Sequence, residues 1–205
     1  MYTPGPQTQQ PPQMGVQPTQ NGVTPGPQAP QQRQTPPVQE VPQPQAKPKT
    51  PSKSKGNTDV GAFIQQLISL MAYVHQLQVQ SHLLHFNFEG SNFLGVHKFL
   101  GKQYEAHIEQ FDKLGEFIRS MDYLLPMCHD GLMEASPEFK HCTSYKAAEM
   151  LSVYYKNLEE LGMKTKKLEP IAAKVGAIDI QNYMAELCGE AFKAAWMIKA
   201  TLRNG

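Results

Sequence analysis

Three scarcities narrow the reading of this 205-residue chain. Cysteine is nearly missing: Cys128, Cys142 and Cys188 are an odd number with no C-x-x-C spacing. That pattern offers no disulfide framework and no thiolate cage, and it suits thiols kept reduced as buried apolar side chains inside a cell. Long apolar runs are missing as well, since nothing approaches the roughly 18 consecutive apolar residues of a membrane span. The opening MYTPGPQTQQPPQ has neither the charged start nor the apolar core of a secretory signal. Charge of one sign is also lacking: 19 Lys and Arg against 18 Asp and Glu leave a formal +1, which selects no partner for the chain as a whole. The expectation is a cytoplasmic protein that enters no membrane.

What is present divides the chain in two. Residues 1–57 hold 14 of the 17 prolines and 13 glutamines, with almost no large aliphatic residue after Val41. Such a segment buries too little apolar surface to offset its ordering entropy, so it reads as a disordered tail. Residues 58–205 are long enough for one domain with its own core.

In that second region the apolar spacing is helical throughout. Asp59 is placed to cap a helix whose apolar positions are Phe63, Ile64, Leu67, Leu70, Met71, Val74, Leu77, Val79 and Leu83. It ends near Phe88-Glu89-Gly90, and Ser91 or Asn92 can cap a second helix running through Phe93, Val96, Phe99, Leu100, Tyr104, Ile108, Phe111, Leu114, Phe117 and Ile118. Pro126 closes that helix, and a short one follows around 126–135. A third starts at Thr143 or Ser144 and runs toward Gly176, with Pro170 as a kink or an early end. The fourth begins near Asp179 and carries Tyr183, Leu187, Ala191, Ala194 and Ile198. Trp196, Met150, Met184 and Met197 read as core residues. No β-period interrupts the pattern, so the fold class is all-α: four long helices with a small extra helix between the second and third.

Histidines gather on the first two helices. His75, His82 and His85 fall within roughly 80° on one face of the first, at about 100° per residue. On the second helix Glu105, Glu109, Asp112 and Glu116 step by four, three and four, which makes one acidic stripe. Imidazole with carboxylate suits iron, manganese or zinc. The spacing also constrains how they combine. His97 and Asp112 are fifteen residues apart, about 22 Å along a single helix. If they share a metal, a second chain must supply half of the site, with the second helices antiparallel about a two-fold axis.

The run His85-Phe-Asn-Phe-Glu-Gly-Ser-Asn-Phe-Leu-Gly-Val-His97, followed by Asp112 and Glu116, resembles the signature of the Dps proteins. These are miniferritins named for DNA protection in starved cells. The closing Ala195-Trp-Met-Ile-Lys-Ala200 is similar to that family's last helix, and the likeness spans roughly residues 58–205. It implies a ferritin-like bundle that assembles as a homododecameric shell. It implies ferroxidase centres across dimer interfaces, with His85 and His97 from one subunit and Asp112 and Glu116 from its neighbour. Fe(II) would be oxidised there, in this family usually by hydrogen peroxide, and the ferric product stored as mineral.

One departure stands out. The family places an acidic residue four positions after the second histidine, where this chain has Gly101. One metal position is then weaker, or is completed by water, Glu105 or Glu109. The rival reading is a shell or DNA-binding protein that keeps the fold without efficient oxidation. His75, His82 and His107 read as packed or surface residues, with His82 a candidate for a supporting or entry position. The single Glu-x-x-His, Glu138 to His141, lies beside a turn and lacks the second copy that a bundle-core di-iron site needs. In the tail, Lys47, Lys49, Lys53 and Lys55 form a basic stretch that is either a plain linker or, as the lysine-bearing tails of DNA-binding Dps proteins imply, a DNA contact. Repeated on a shell, such weak phosphate contacts would gain avidity and salt dependence, and would associate the shell with the nucleoid.

Overall fold

The computed structural model describes residues 55–136 and 138–203, with side chains from Asp59 onward. The disordered tail expected over 1–57, with Lys47, Lys49 and Lys53, lies outside them except that residues 55–57 are helical. In order the elements are α1 (Lys55–Asn87), α2 (Phe93–Ser120), α3 (His129–Glu134), α4 (Ala147–Lys174) and α5 (Ile178–Leu202). No strand occurs among the described residues. α1 packs on α2 and α4 on α5, and α1 against α4 joins the two hairpins, with α3 resting on α1.

The core follows the helical period. Phe63, Ile64, Leu67, Leu70, Val74 and Leu77 of α1 meet Leu100, Leu114 and Ile118 of α2, Met150, Tyr154, Leu158 and Leu161 of α4, and Met184, Leu187 and Ile198 of α5. Burying each such side chain is worth about 1.5–3 kcal/mol. Small residues dominate the inner face of α5, where Ala191, Ala194 and Ala195 are buried. They let α4 approach closely: a Cβ at Gly162 would come within 2.9 Å of the Phe192 ring. Gly176, at φ +78, turns the chain between α4 and α5 in a conformation that L side chains rarely adopt.

Several expectations are corrected. Val79 and Leu83 leave the core and are 45% and 54% exposed, because steps of two and six from Leu77 rotate about 200° and about 240°, away from the buried face. Trp196 and Met197 are 63% and 43% exposed, turned about 100° and about 200° from the buried Ala195. Met150 and Met184 are core residues as expected. The cysteines are not buried: Cys128 is exposed, and Cys142 and Cys188 are partly so. Pro170 sits inside α4 without ending it. α1 starts at Lys55, ahead of Asp59.

α4 starts at Ala147 rather than at Thr143 or Ser144; the Ser144 hydroxyl accepts the Lys146 amide at 3.1 Å in a turn ahead of the helix. Gln76 Nε2 donates to the Ser136 carbonyl at 3.0 Å, and Gln80 Nε2 to the Lys140 carbonyl at 3.0 Å. Asn157 Nδ2 donates to that same carbonyl at 2.8 Å and to Gln80 Oε1 at 2.9 Å. The Tyr73 hydroxyl donates to the Asn157 carbonyl at 3.0 Å, and burial pushes its phenol pKa up. These bonds clamp an extended crossover onto α1 and α4, so its polar groups are satisfied without helix.

Candidate metal centre

His85 lies in the last turn of α1 and His97 in the second turn of α2, and residues 88–92 connect the two helices. Phe88 is buried there and anchors the turn, while the Phe93 amide donates to the Gly90 carbonyl at 3.1 Å. The hairpin thus brings together two residues twelve apart. His85 Nδ1 lies 2.9 Å from the His97 carbonyl, and His97 Nδ1 lies 3.0 Å from the His85 carbonyl. A carbonyl only accepts, so in each neutral ring Nδ1 carries the proton and Nε2 keeps a free lone pair. Metal-ligating histidines are oriented by such a bond on the far nitrogen. The bonds also serve the backbone, since the His85 carbonyl lies in a helix end with no intrahelical donor.

The His85 ring rests against Gly101, where a Cβ would sit 3.4 Å from its Cε1 and 3.5 Å from its Nδ1, at ordinary contact distance. The two rings stack with centroids 3.7 Å apart and planes at 23°. His82 stacks on Tyr104 at 4.0 Å, and Tyr104 meets His85 edge-on at 5.6 Å. Phe93 lies 5.0 Å from His97 on the other side. The imidazole pair is therefore walled by aromatic rings. From the sequence Tyr104 reads only as an apolar position of the second helix, and its spacing of seven from His97 puts it two turns further along the same face.

Asp112 and Glu116 are exposed on α2, as are Glu105 and Glu109. α2 is one continuous helix, so Asp112 stands about 22 Å from His97 along its axis, and the chain does not bring them together. Among the described residues, no three His, Cys, Asp or Glu side chains of one chain converge on a common metal position. None of the four carboxylates has an ion-pair partner among the described residues, which leaves them uncommitted.

The bundle interior is built differently. His107 is buried, with Nδ1 2.8 Å from Gln110 Oε1 and Nε2 2.9 Å from the Tyr154 hydroxyl. Gln110 Nε2 donates onward to Glu190 Oε2 at 3.2 Å. Burial pushes His107 down to about 4, so it is neutral at ordinary pH, with both nitrogens occupied. The buried polar side chains are Gln, Ser, Asn, Thr and His107, with no Asp or Glu among the described residues. The centre of this bundle thus lacks the carboxylates of a bundle-core di-iron site.

A family model described as a ferritin-like domain matches residues 64–205. Among solved structures, Dps from Thermosynechococcus elongatus superposes with a TM-score of 0.69 at 17% identity, covering 73% of this chain and 95% of that one. A Dps protein from Bacillus brevis gives 0.67 at 22%, covering 74% and 99%. Dps from Vibrio cholerae O1, described as a member of a superfamily of ferritin-like diiron-carboxylate proteins, gives 0.66 at 19%, covering 74% and 99%. At these identities the likeness is one of fold. No curated protein matches the chain.

Proposed function

This chain belongs to the ferritin-like family and has the Dps fold, and we propose that it oxidises Fe(II) and stores the ferric product in a shell of twelve copies. His85 and His97 form one half of each ferroxidase centre, and Asp112 and Glu116 of a second copy form the other. The observation that carries this reading is the reciprocal ring-to-carbonyl pair, which fixes both imidazoles and frees both Nε2 lone pairs. The uncommitted carboxylates, about 22 Å away along α2, complete the donor set only across a two-fold axis.

The stacked rings also bear on how many ions are held. Lone pairs lie in the ring planes, so nearly parallel rings 3.7 Å apart do not both aim at one ion between them. They suit two adjacent positions, and paired metal sites have separations of about 3.5–4 Å. Gly101 leaves the His97 position without its own-chain carboxylate, so iron is held strongly beside His85 and weakly beside His97. Glu105 or Glu109 is the candidate replacement. Hydrogen peroxide accepts two electrons and each Fe(II) gives one, so two ions are consumed per peroxide even if the second binds transiently.

The test is anaerobic loading of the assembly with Fe(II), addition of peroxide, and measurement of ferric absorbance in wild type, His97→Ala and Asp112→Ala. Both variants should be slow alone. Co-expressed, they should recover activity, because each mixed dimer carries one intact site. Random pairing makes half the dimers mixed, so about a quarter of the sites return. No recovery would remove the inter-subunit reading. Equal, slow oxidation in wild type and both variants would favour the second reading, which Gly101 supports: a shell that has kept the fold without efficient oxidation.

The tail has a separate proposed role. Lys47, Lys49, Lys53 and Lys55, displayed on every subunit, would hold DNA by phosphate contacts, in the cytoplasm and at the nucleoid. Removing residues 1–54 should abolish gel retardation of DNA and leave iron oxidation intact.

A further inference from the structure

A second histidine pair includes His75, about 15 Å back along α1 from His85. A cavity of about 470 Å³ opens between α1, α3 and the crossover that follows, and its lining includes His75, Val79, His129, Met133, His141 and Cys142. The rings of His75 and His129 approach from different helices, with centroids 5.8 Å apart and planes at 74°. Two imidazoles on one tetrahedral ion, with metal–nitrogen bonds of about 2.0–2.1 Å, place their ring centres about 5 Å apart. The observed separation is within about 1 Å of that spacing.

One far nitrogen is already engaged. His75 Nδ1 lies 3.2 Å from Gln78 Oε1, an acceptor, which favours the proton on Nδ1 and leaves Nε2 free. His129 stands beside the Asp130 carboxylate, with Nδ1 3.6 Å away. Phe111 packs against the His75 ring at 5.4 Å and holds its orientation. The crossover wall is fixed too, because Gln76 and Gln80 on α1 bond the Ser136 and Lys140 carbonyls.

We infer that His75 and His129 bind a borderline divalent cation, zinc or copper(II), in this cavity. Water completes the coordination, with the Cys142 thiol and Met133 thioether nearby. Imidazole suits zinc and copper, whereas Mg(II) prefers carboxylate and water. The site stands on His75 and His129 alone and does not depend on the iron reading. Neither residue belongs to the proposed ferroxidase donor set.

The test is calorimetric titration of the full-length assembly with zinc, in wild type, His75→Gln, His129→Gln and His97→Ala. His129 is exposed on a short helix, so its substitution leaves the fold intact even if His75→Gln perturbs α1. One class of zinc sites should weaken at least tenfold in both His75→Gln and His129→Gln and persist in His97→Ala. Copper(II) in the wild type should show nitrogen hyperfine structure in its electron paramagnetic resonance spectrum, reduced in His129→Gln. Peroxide-driven iron oxidation should be unchanged in His129→Gln. Zinc binding that is unaltered in His129→Gln, or that disappears only with His97→Ala, would overturn the assignment.

Discussion

His107 and the His85–His97 pair use the same side chain for opposite ends. His107 sits in the bundle with both ring nitrogens occupied, one by Gln110 and one by Tyr154. His85 and His97 sit at the mouth of the α1–α2 hairpin, half-buried, with one nitrogen held by a carbonyl and one left over. Burial alone does not separate a structural histidine from a ligand. What separates them is whether the neighbours use one nitrogen or both.

The largest expected effect breaks the interior half of this comparison. Burial lowers His107 to about 4 from an ordinary 6.5, so the unfolded chain binds more protons than the folded one between those values. The stability that neutral His107 supplies is therefore complete above about pH 6.5 and is lost as pH falls toward 4. The loss amounts to about 3 kcal/mol per chain. Urea unfolding between pH 4 and 7 should show that slope, and His107→Gln should flatten it while leaving iron oxidation near wild type. Next in size, His97→Ala should slow peroxide-driven oxidation by about 100-fold with little change in unfolding, given that removing even a ligand's supporting partner costs 10–100-fold. A smaller change sharpens the contrast in the other direction. Gly101→Asp places a carboxylate beside His97, and its Cβ meets the His85 ring at ordinary contact distance. It should tighten the weaker Fe(II) position about tenfold in anaerobic titration, and replacing a helical glycine offsets part of any strain. The smallest effect is expected from His82→Ala, which removes the ring stacked on Tyr104. A lost ring pair of about 0.5–1.5 kcal/mol corresponds to a change of a few-fold in oxidation rate.

The sequence made the hairpin legible because its information is local. A histidine in the last turn of one helix, a glycine-bearing turn and a histidine twelve residues on meet without any long-range assumption. The acidic stripe was legible for the same reason, and helix rise alone showed that it could not reach the histidines of its own chain. Outward-facing apolar residues were not legible. Trp196, Met197, Val79 and Leu83 have core-like composition, and only the angular step from their buried neighbours Ala195 and Leu77 shows that they face away. The start of α4 was hidden as well. Ser144 reads as a helix cap, yet its hydroxyl accepts the Lys146 amide at 3.1 Å in a turn that precedes the helix. The hydrogen bonds that hold the crossover come from Gln76, Gln80 and Asn157, which are distant in sequence. His75 and His129 lie on different helices and are likewise distant in sequence, so their pairing had no local signal.

The reciprocal bonding of His85 and His97 ties ligand geometry to the mechanics of the hairpin. Each ring holds the other residue's backbone, so the pair is a clasp as well as a donor set. Opening the turn would let go of both imidazoles at once, and ions held at the two Nε2 atoms would resist that opening by mass action. Iron arriving at the centre is thus predicted to slow amide exchange around residues 85–97. The load itself tightens the joint that carries it.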